Sequence, residues 1–119
     1  MKRDMDLVRR ILMDLEECDA ADGGGGVNIE IDGRAEQEVS YHVALLHEAG
    51  LLHALDGYDS SGICWIPTRL TWAGHEFLDA SREPGRWERA KRTVLEKTGG
   101  LSFEAMKQVL FQLLREALF

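Results

Sequence analysis

Residues 46–72 read LHEAGLLHALDGYDSSGICWIPTRLTW, and the punctuation in this stretch decides the fold. Leu46 closes a run in which Val39, Val43 and Leu46 recur at helical spacing, with Leu45 and Ala49 beside them. Gly50 stands where a helix over 35–49 wants a left-handed residue just past its end. Directly after it, 51–58 and 63–70 are strand-like, and Asp59-Ser60-Ser61-Gly62 between them reads as a turn. Together they predict a β-hairpin. Pro67 cannot donate to a ladder, so the second strand belongs at an edge or ends early. Thr71 is then placed to cap a helix containing Trp72, Phe77 and Leu78.

Upstream of this stretch, Val8, Ile11, Leu12, Leu15 and Cys18 give a helix over 4–18, capped by Asp4 and favoured at its positive end by Asp6. From Ala20 to Gly26 an aspartate and four consecutive glycines break it, because glycine loses the most backbone entropy on ordering. Val27-Asn28-Ile29-Glu30-Ile31 alternates with period two and runs into Asp32-Gly33, which predicts a short strand and a turn.

Downstream, Glu83-Pro84 punctuates, and Trp87, Ala90, Val94 and Leu95 mark a helix over 84–97 that Gly99-Gly100 ends. Ser102 caps a last helix with Phe103, Met106, Leu110, Leu113, Leu114 and Ala117 on one face. The expected core is Val8, Ile11, Leu12, Leu15, Val39, Val43, Leu46, Leu51, Leu70, Phe77 and Leu78. Gly74 sits inside a helical pattern, where glycine costs about 1 kcal/mol against alanine. It therefore predicts a close approach of that helix to the first helix or to the hairpin.

The element order defines a mainly α chain with a small β-hairpin wing, an α+β class. It is a winged-helix-like domain with additional C-terminal helices. At 119 residues it has room for one domain, read as 1–82 for the winged-helix core and 83–119 for a helical extension. Three blocks carry a family resemblance: Met1 to Arg9; Tyr41-His42 with Leu45 to Leu51; and Leu70-Thr71-Trp72-Ala73-Gly74-His75-Glu76-Phe77-Leu78. In this order they resemble the signature of the bacterial and phage-associated domain of unknown function 2513. The resemblance implies a winged-helix-like fold and a frequent home in prophages, and it transfers no activity. Only about 18 residues separate Ile31 from Ala49, fewer than a full helix-turn-helix occupies.

With 45% hydrophobic and 29% charged residues the chain is expected to fold rather than stay disordered. The amino terminus shows no secretory core, and two cysteines make no disulfide framework, so the cytoplasm is the expected compartment. The formal charge of −7 is unevenly spread: −9 over residues 1–59 and +2 over 60–119. An acidic half repels polyphosphate, so any nucleic-acid surface belongs first to the second half.

Two functions compete. The first is a non-enzymatic interaction module, a prophage accessory protein that engages a protein partner or itself. The alternative is a regulator that binds duplex DNA through the 35–49 helix and the wing, contacting it with Arg34, Gln37, Ser40, Tyr41, Arg69, Arg86, Arg89 and Arg92. Against the second, residues 34–48 carry a net −2, whereas duplex affinity comes largely from phosphate neutralisation. The charges over 82–97 sum to +3, but a solvated face with Glu88 and Arg92 paired four apart accounts for them. Four scattered histidines match no metal-ligand spacing, and no nucleophile elbow or phosphate loop is present. No metal, cofactor or catalytic residue is expected. Of Trp65, Trp72 and Trp87, at least two are expected in the core rather than on a stacking platform. The last helix carries more apolar surface than one face can bury. A homodimer through Phe111, Leu114, Leu118 and Phe119 is therefore expected.

Overall fold

Helix α1 (Met5–Glu17) starts at Asp4, whose carboxylate accepts from the Asp6 and Leu7 amides as the sequence predicts. A computed structural model describes residues 1–18, 26–59 and 62–119. The glycines at 23–25 and the hairpin tip at Ser60 and Ser61 lie outside the described residues. After α1 come α2 (Glu36–Glu48), β1 (Leu52–Asp59), β2 (Gly62–Leu70), α3 (Trp72–Ser81), α4 (Pro84–Thr98) and α5 (Phe103–Leu118). The architecture is mainly α with one antiparallel hairpin, as the sequence indicates.

The chain divides into two compact units, Met1–His75 and Glu76–Phe119, with the division inside α3. In the first, α1 and α2 pack on each other, and each packs on the hairpin. Met5, Val8, Ile11, Leu12 and Leu15 of α1, Val39, Val43 and Leu46 of α2, and Leu51, Leu52 and Leu70 are buried there. In the second, α4 packs on α5 and buries Trp87, Ala90, Val94, Met106 and Leu110, with Phe77, Leu78 and Ala80 of α3 also buried. All eleven expected core positions are buried.

The ends of the elements follow their sequence signals. Gly50 and Gly99 take φ of 79° and 77°, the left-handed conformation that lets a chain leave a helix. Ser102 accepts from the Ala105 amide at the start of α5. Glu83, not recognised as a cap, accepts from the Gly85 and Arg86 amides at 2.8 and 2.7 Å.

Three expectations need correction. Residues 27–31 form no strand: the segment is joined to β2 by one bond, Val27 N–H to the Pro67 carbonyl at 2.8 Å. The alternation is real, since Val27, Ile29 and Ile31 are half-buried while Asn28 and Glu30 are exposed. Pro67 has no amide to return, so a ladder cannot grow at that point. The β1–β2 register also slips at His53/Ala54, next to Pro67, leaving Thr68 as the extra residue. Of the tryptophans only Trp87 is fully buried; Trp65 is half-buried and Trp72 is 82% exposed. Glu88 pairs with Lys91 at 3.1 Å rather than with Arg92.

The junction between hairpin and α3 explains Gly74. Thr71 donates its amide to the Leu51 carbonyl at 3.1 Å and its hydroxyl to the Gly50 carbonyl at 2.6 Å. The same hydroxyl accepts the Gly74 amide at 3.0 Å, capping α3. A Cβ on Gly74 would fall on the Leu51 carbonyl oxygen and lie 3.0 Å from its carbon. Both obstacles are backbone held by hydrogen bonds, so they cannot swing aside.

Gly74→Ala is expected to lower stability by about 1–3 kcal/mol despite alanine's better helix propensity. A melting temperature equal to the parent's would remove the close approach as the reason for this glycine. Leu46→Ala is expected to cost about 2–5 kcal/mol in chemical denaturation.

Candidate functional site

The outer face of α2 does not stand free. Together with residues 26–29 and β2 it walls a groove of about 860 Å³. Gln37, Ser40, Tyr41 and Ala44 of α2 form one side, and Cys64, Trp65, Ile66 and Pro67 of β2 another. Gly26 lies against the Ile66 side chain so closely that a Cβ there would overlap it. Glu36 is the only charged side chain among the groove's described liners, which also include Met1.

Ser40 accepts the Trp65 amide at 2.9 Å. With Pro67 two residues on, the outer edge of β2 thus has one donor capped and another missing. That blunts the edge against further strand pairing. Over the same strand, His47 lies tilted against the Trp65 ring, with centroids 5.4 Å apart. Sequence reasoning missed the roles of Trp65 and of the 26–29 segment. The alternation at 27–31 was the available signal for the latter.

Beneath the groove, α2 is fixed to the start of α1. His42 is fully buried, its ring edge-on to Tyr41 with centroids 5.8 Å apart. The Asp4 amide donates to Nε2 at 2.8 Å, so Nε2 carries no proton. Nδ1 then holds the proton and donates to the Glu38 carbonyl, also at 2.8 Å. Arg34 Nη2 meets Asp4 Oδ2 at 2.8 Å, and its Nη1 meets Glu38 Oε1 at 3.3 Å.

Burial is the largest influence on Asp4 and opposes its charge. The Arg34 hydrogen bond, the Leu7 amide, the Arg34 charge and the Asp6 amide together outweigh it and hold its carboxyl below the ordinary 3.8. Hydrogen bonds from Arg34 to Asp4 and Glu38 in turn raise the pKa of its guanidinium.

The DNA-contact candidates are dispersed. Arg34 is engaged by two carboxylates; Gln37 and Tyr41 are exposed in the groove; Arg69 is exposed on β2. In the second unit, Arg86 is turned back on α3, donating to the carbonyls of Ala80 at 2.7 Å and Asp79 at 3.4 Å. Arg89 and Arg92 are exposed on α4. Arg82 lies between α3 and α4, off the helix that carries Arg86 and Arg89, and pairs with Asp79 at 3.0 Å. Of the proposed dimer residues, Phe111 and Leu114 are half-buried and Leu118 and Phe119 are exposed. No group of three or more potential metal ligands is gathered among the described residues, and no helix there is long and apolar enough to cross a membrane.

These features define a mainly helical protein with one hairpin and a groove of mixed polarity beside its second helix. Residues 2–100 match the model of the family described as "Hypothetical protein (DUF2513)", and the chain belongs to that family. An "Uncharacterized protein" of Haemophilus influenzae is 40% identical over 109 residues, 92% of each chain. No solved structure matches.

The Asp4 clamp has a pH signature. The carboxyl titrates lower when folded than when unfolded, so the unfolded chain binds more protons as pH falls through that window. Asp4 therefore stabilises the fold above the ordinary carboxylate range, and the benefit is lost on acidification through the folded value. Asn at position 4 still caps α1 but cannot pair electrostatically with Arg34. Urea denaturation should show the parent more stable than Asp4→Asn at about pH 7 and the gap closing at about pH 3.

Proposed function

We propose that the protein is a non-enzymatic, winged-helix-like interaction module whose groove receives a segment of a partner protein. The single observation that carries this reading is the groove lining. Trp65, Ile66, Pro67, Val27 and Ile29 offer apolar surface, and Glu36 is the only charged side chain among the described liners. Among the described liners no Lys or Arg meets a polyphosphate, whereas an apolar segment with a basic flank finds apolar surface and Glu36. The helix–hairpin–helix order supports the winged-helix likeness. The family resemblance and the free Cys18 and Cys64 support a prophage accessory protein of the cytoplasm.

The rival reading, a duplex-DNA-binding regulator, draws on Arg69 exposed on the hairpin. A photo-crosslinking benzoylphenylalanine placed at Gln37, and separately at Arg92, compares the groove with an outside face in the host cell. A protein adduct is expected from position 37 alone, lost on Glu36→Lys, which leaves the apolar packing unchanged. Two results overturn the proposal: no adduct at 37, or micromolar, salt-sensitive binding of random duplex DNA in fluorescence anisotropy.

A further inference from the structure

Among the described residues His42 is the one ionisable side chain that is buried, and its two ring nitrogens face different elements. Nδ1–H donates to the Glu38 carbonyl one turn back along α2, and Nε2 accepts the Asp4 amide at the start of α1, each at 2.8 Å. The first bond survives protonation of the ring, because Nδ1 is a donor in either state. The second does not, because a proton on Nε2 turns the acceptor into a donor aimed at another donor. Charging His42 thus spares its hold on α2 and breaks its hold on α1.

The groups around the ring do not make room for the new proton. Asp4 has one carboxylate oxygen on the Asp6 and Leu7 amides and the other on Arg34, whose charge opposes a second cation. The Glu38 carboxylate is turned to Arg34 at 3.3 Å, and Tyr41 stands edge-on to the imidazole. Lys2, Arg3 and Asp6, the other charges at this end of α1, are exposed. Met5, Leu7 and Val8 of α1 and Leu51, Leu52 and Leu70 at the base of the hairpin are buried and apolar. The least costly way to take up a proton is to let go of residues 1–4, which precede the first turn of α1 and of which the first three are exposed. Release of a terminus costs less than opening a core. Met1 is also part of the groove wall, so its release alters the groove.

We propose that His42 is an acid-operated latch: neutral, it holds the amino-terminal residues on α2; protonated, it releases them, and with them the Met1 side of the groove. The latch works whether or not a partner occupies the groove. An exposed imidazole binds its proton at about pH 6.5, and the latched ring has no place for it, so release gains as pH falls below that value. Amide hydrogen exchange of the full chain, followed by NMR and corrected for the intrinsic effect of pH, reads the Asp4 bond directly. Protection of the Asp4 amide should fall at least tenfold between about pH 7.5 and about pH 5, above the range in which the Asp4 carboxyl titrates. The Met1 methyl signal should move with the same midpoint. His42→Gln can still accept the Asp4 amide but takes up no proton, so its Asp4 protection should stay level over this range. Exchange in the parent decides the matter by itself if that variant does not fold. Parent protection that stays constant to about pH 5 overturns the proposal, as does a His42 ring that gains its proton while the Asp4 amide stays protected. A Met1 signal that does not follow, or the same loss of protection in a folded His42→Gln, overturns it too.

Discussion

Asp4 is the residue on which the first unit depends, because it makes three separate connections. One carboxylate oxygen caps α1, the other meets Arg34, and its amide donates to a histidine inside the core. Each connection alone is ordinary; together they fix where α1 begins and how it lies on α2. The buried imidazole matters most. An unsatisfied polar atom in the interior costs about 1–3 kcal/mol, and both His42 nitrogens are satisfied by backbone groups from two different helices. Any slip of α1 along α2 would break the Asp4 bond and leave Nε2 without a partner. Apolar packing between the helices tolerates small displacements; this hydrogen-bonded pair does not.

With α2 fixed from below, its upper face becomes a wall. Ser40 reaches the Trp65 amide and ties the hairpin to the helix, so β2 is held at a set distance from Gln37 and Tyr41. The bond of Val27 to Pro67 brings the 26–29 segment to the same strand. The groove is what remains among three elements that approach without filling the space between them. On the other side of the hairpin, Gly74 allows α3 to meet the Leu51 carbonyl, so the strands are held at their base as well.

Helix boundaries were legible in the sequence because their causes are local. Asp4, Thr71 and Ser102 act within three residues of themselves, and Gly50 and Gly99 act at their own φ. Core positions were legible because periodicity records which side of a helix faces inward. Pairing was harder. The alternation at 27–31 reports a segment with one side covered, but a ladder also needs a partner with free amides, and Pro67 offers none. Ser40 showed as an outward polar residue, and nothing nearby in sequence indicated an amide 25 residues away. Arg34 and Arg86 looked like free cations for the same reason, although each is spent on neighbours within the fold. Two core tryptophans were expected because their bulk suggested burial; Trp87 alone is fully buried, and the place of Trp72 at the first turn of α3 leaves it outside.

The distribution of charge bears on what the two units can do. Acids dominate the first 59 residues, and the cation nearest the start of α2, Arg34, is neutralised twice over within its own unit. Long-range attraction to a polyanion is therefore missing where a reading helix would need it, and attraction to a basic partner is present. The second unit has no such bias along α5, where Glu104 and Glu116 balance Lys107 and Arg115. The acidic unit suits a partner of different composition.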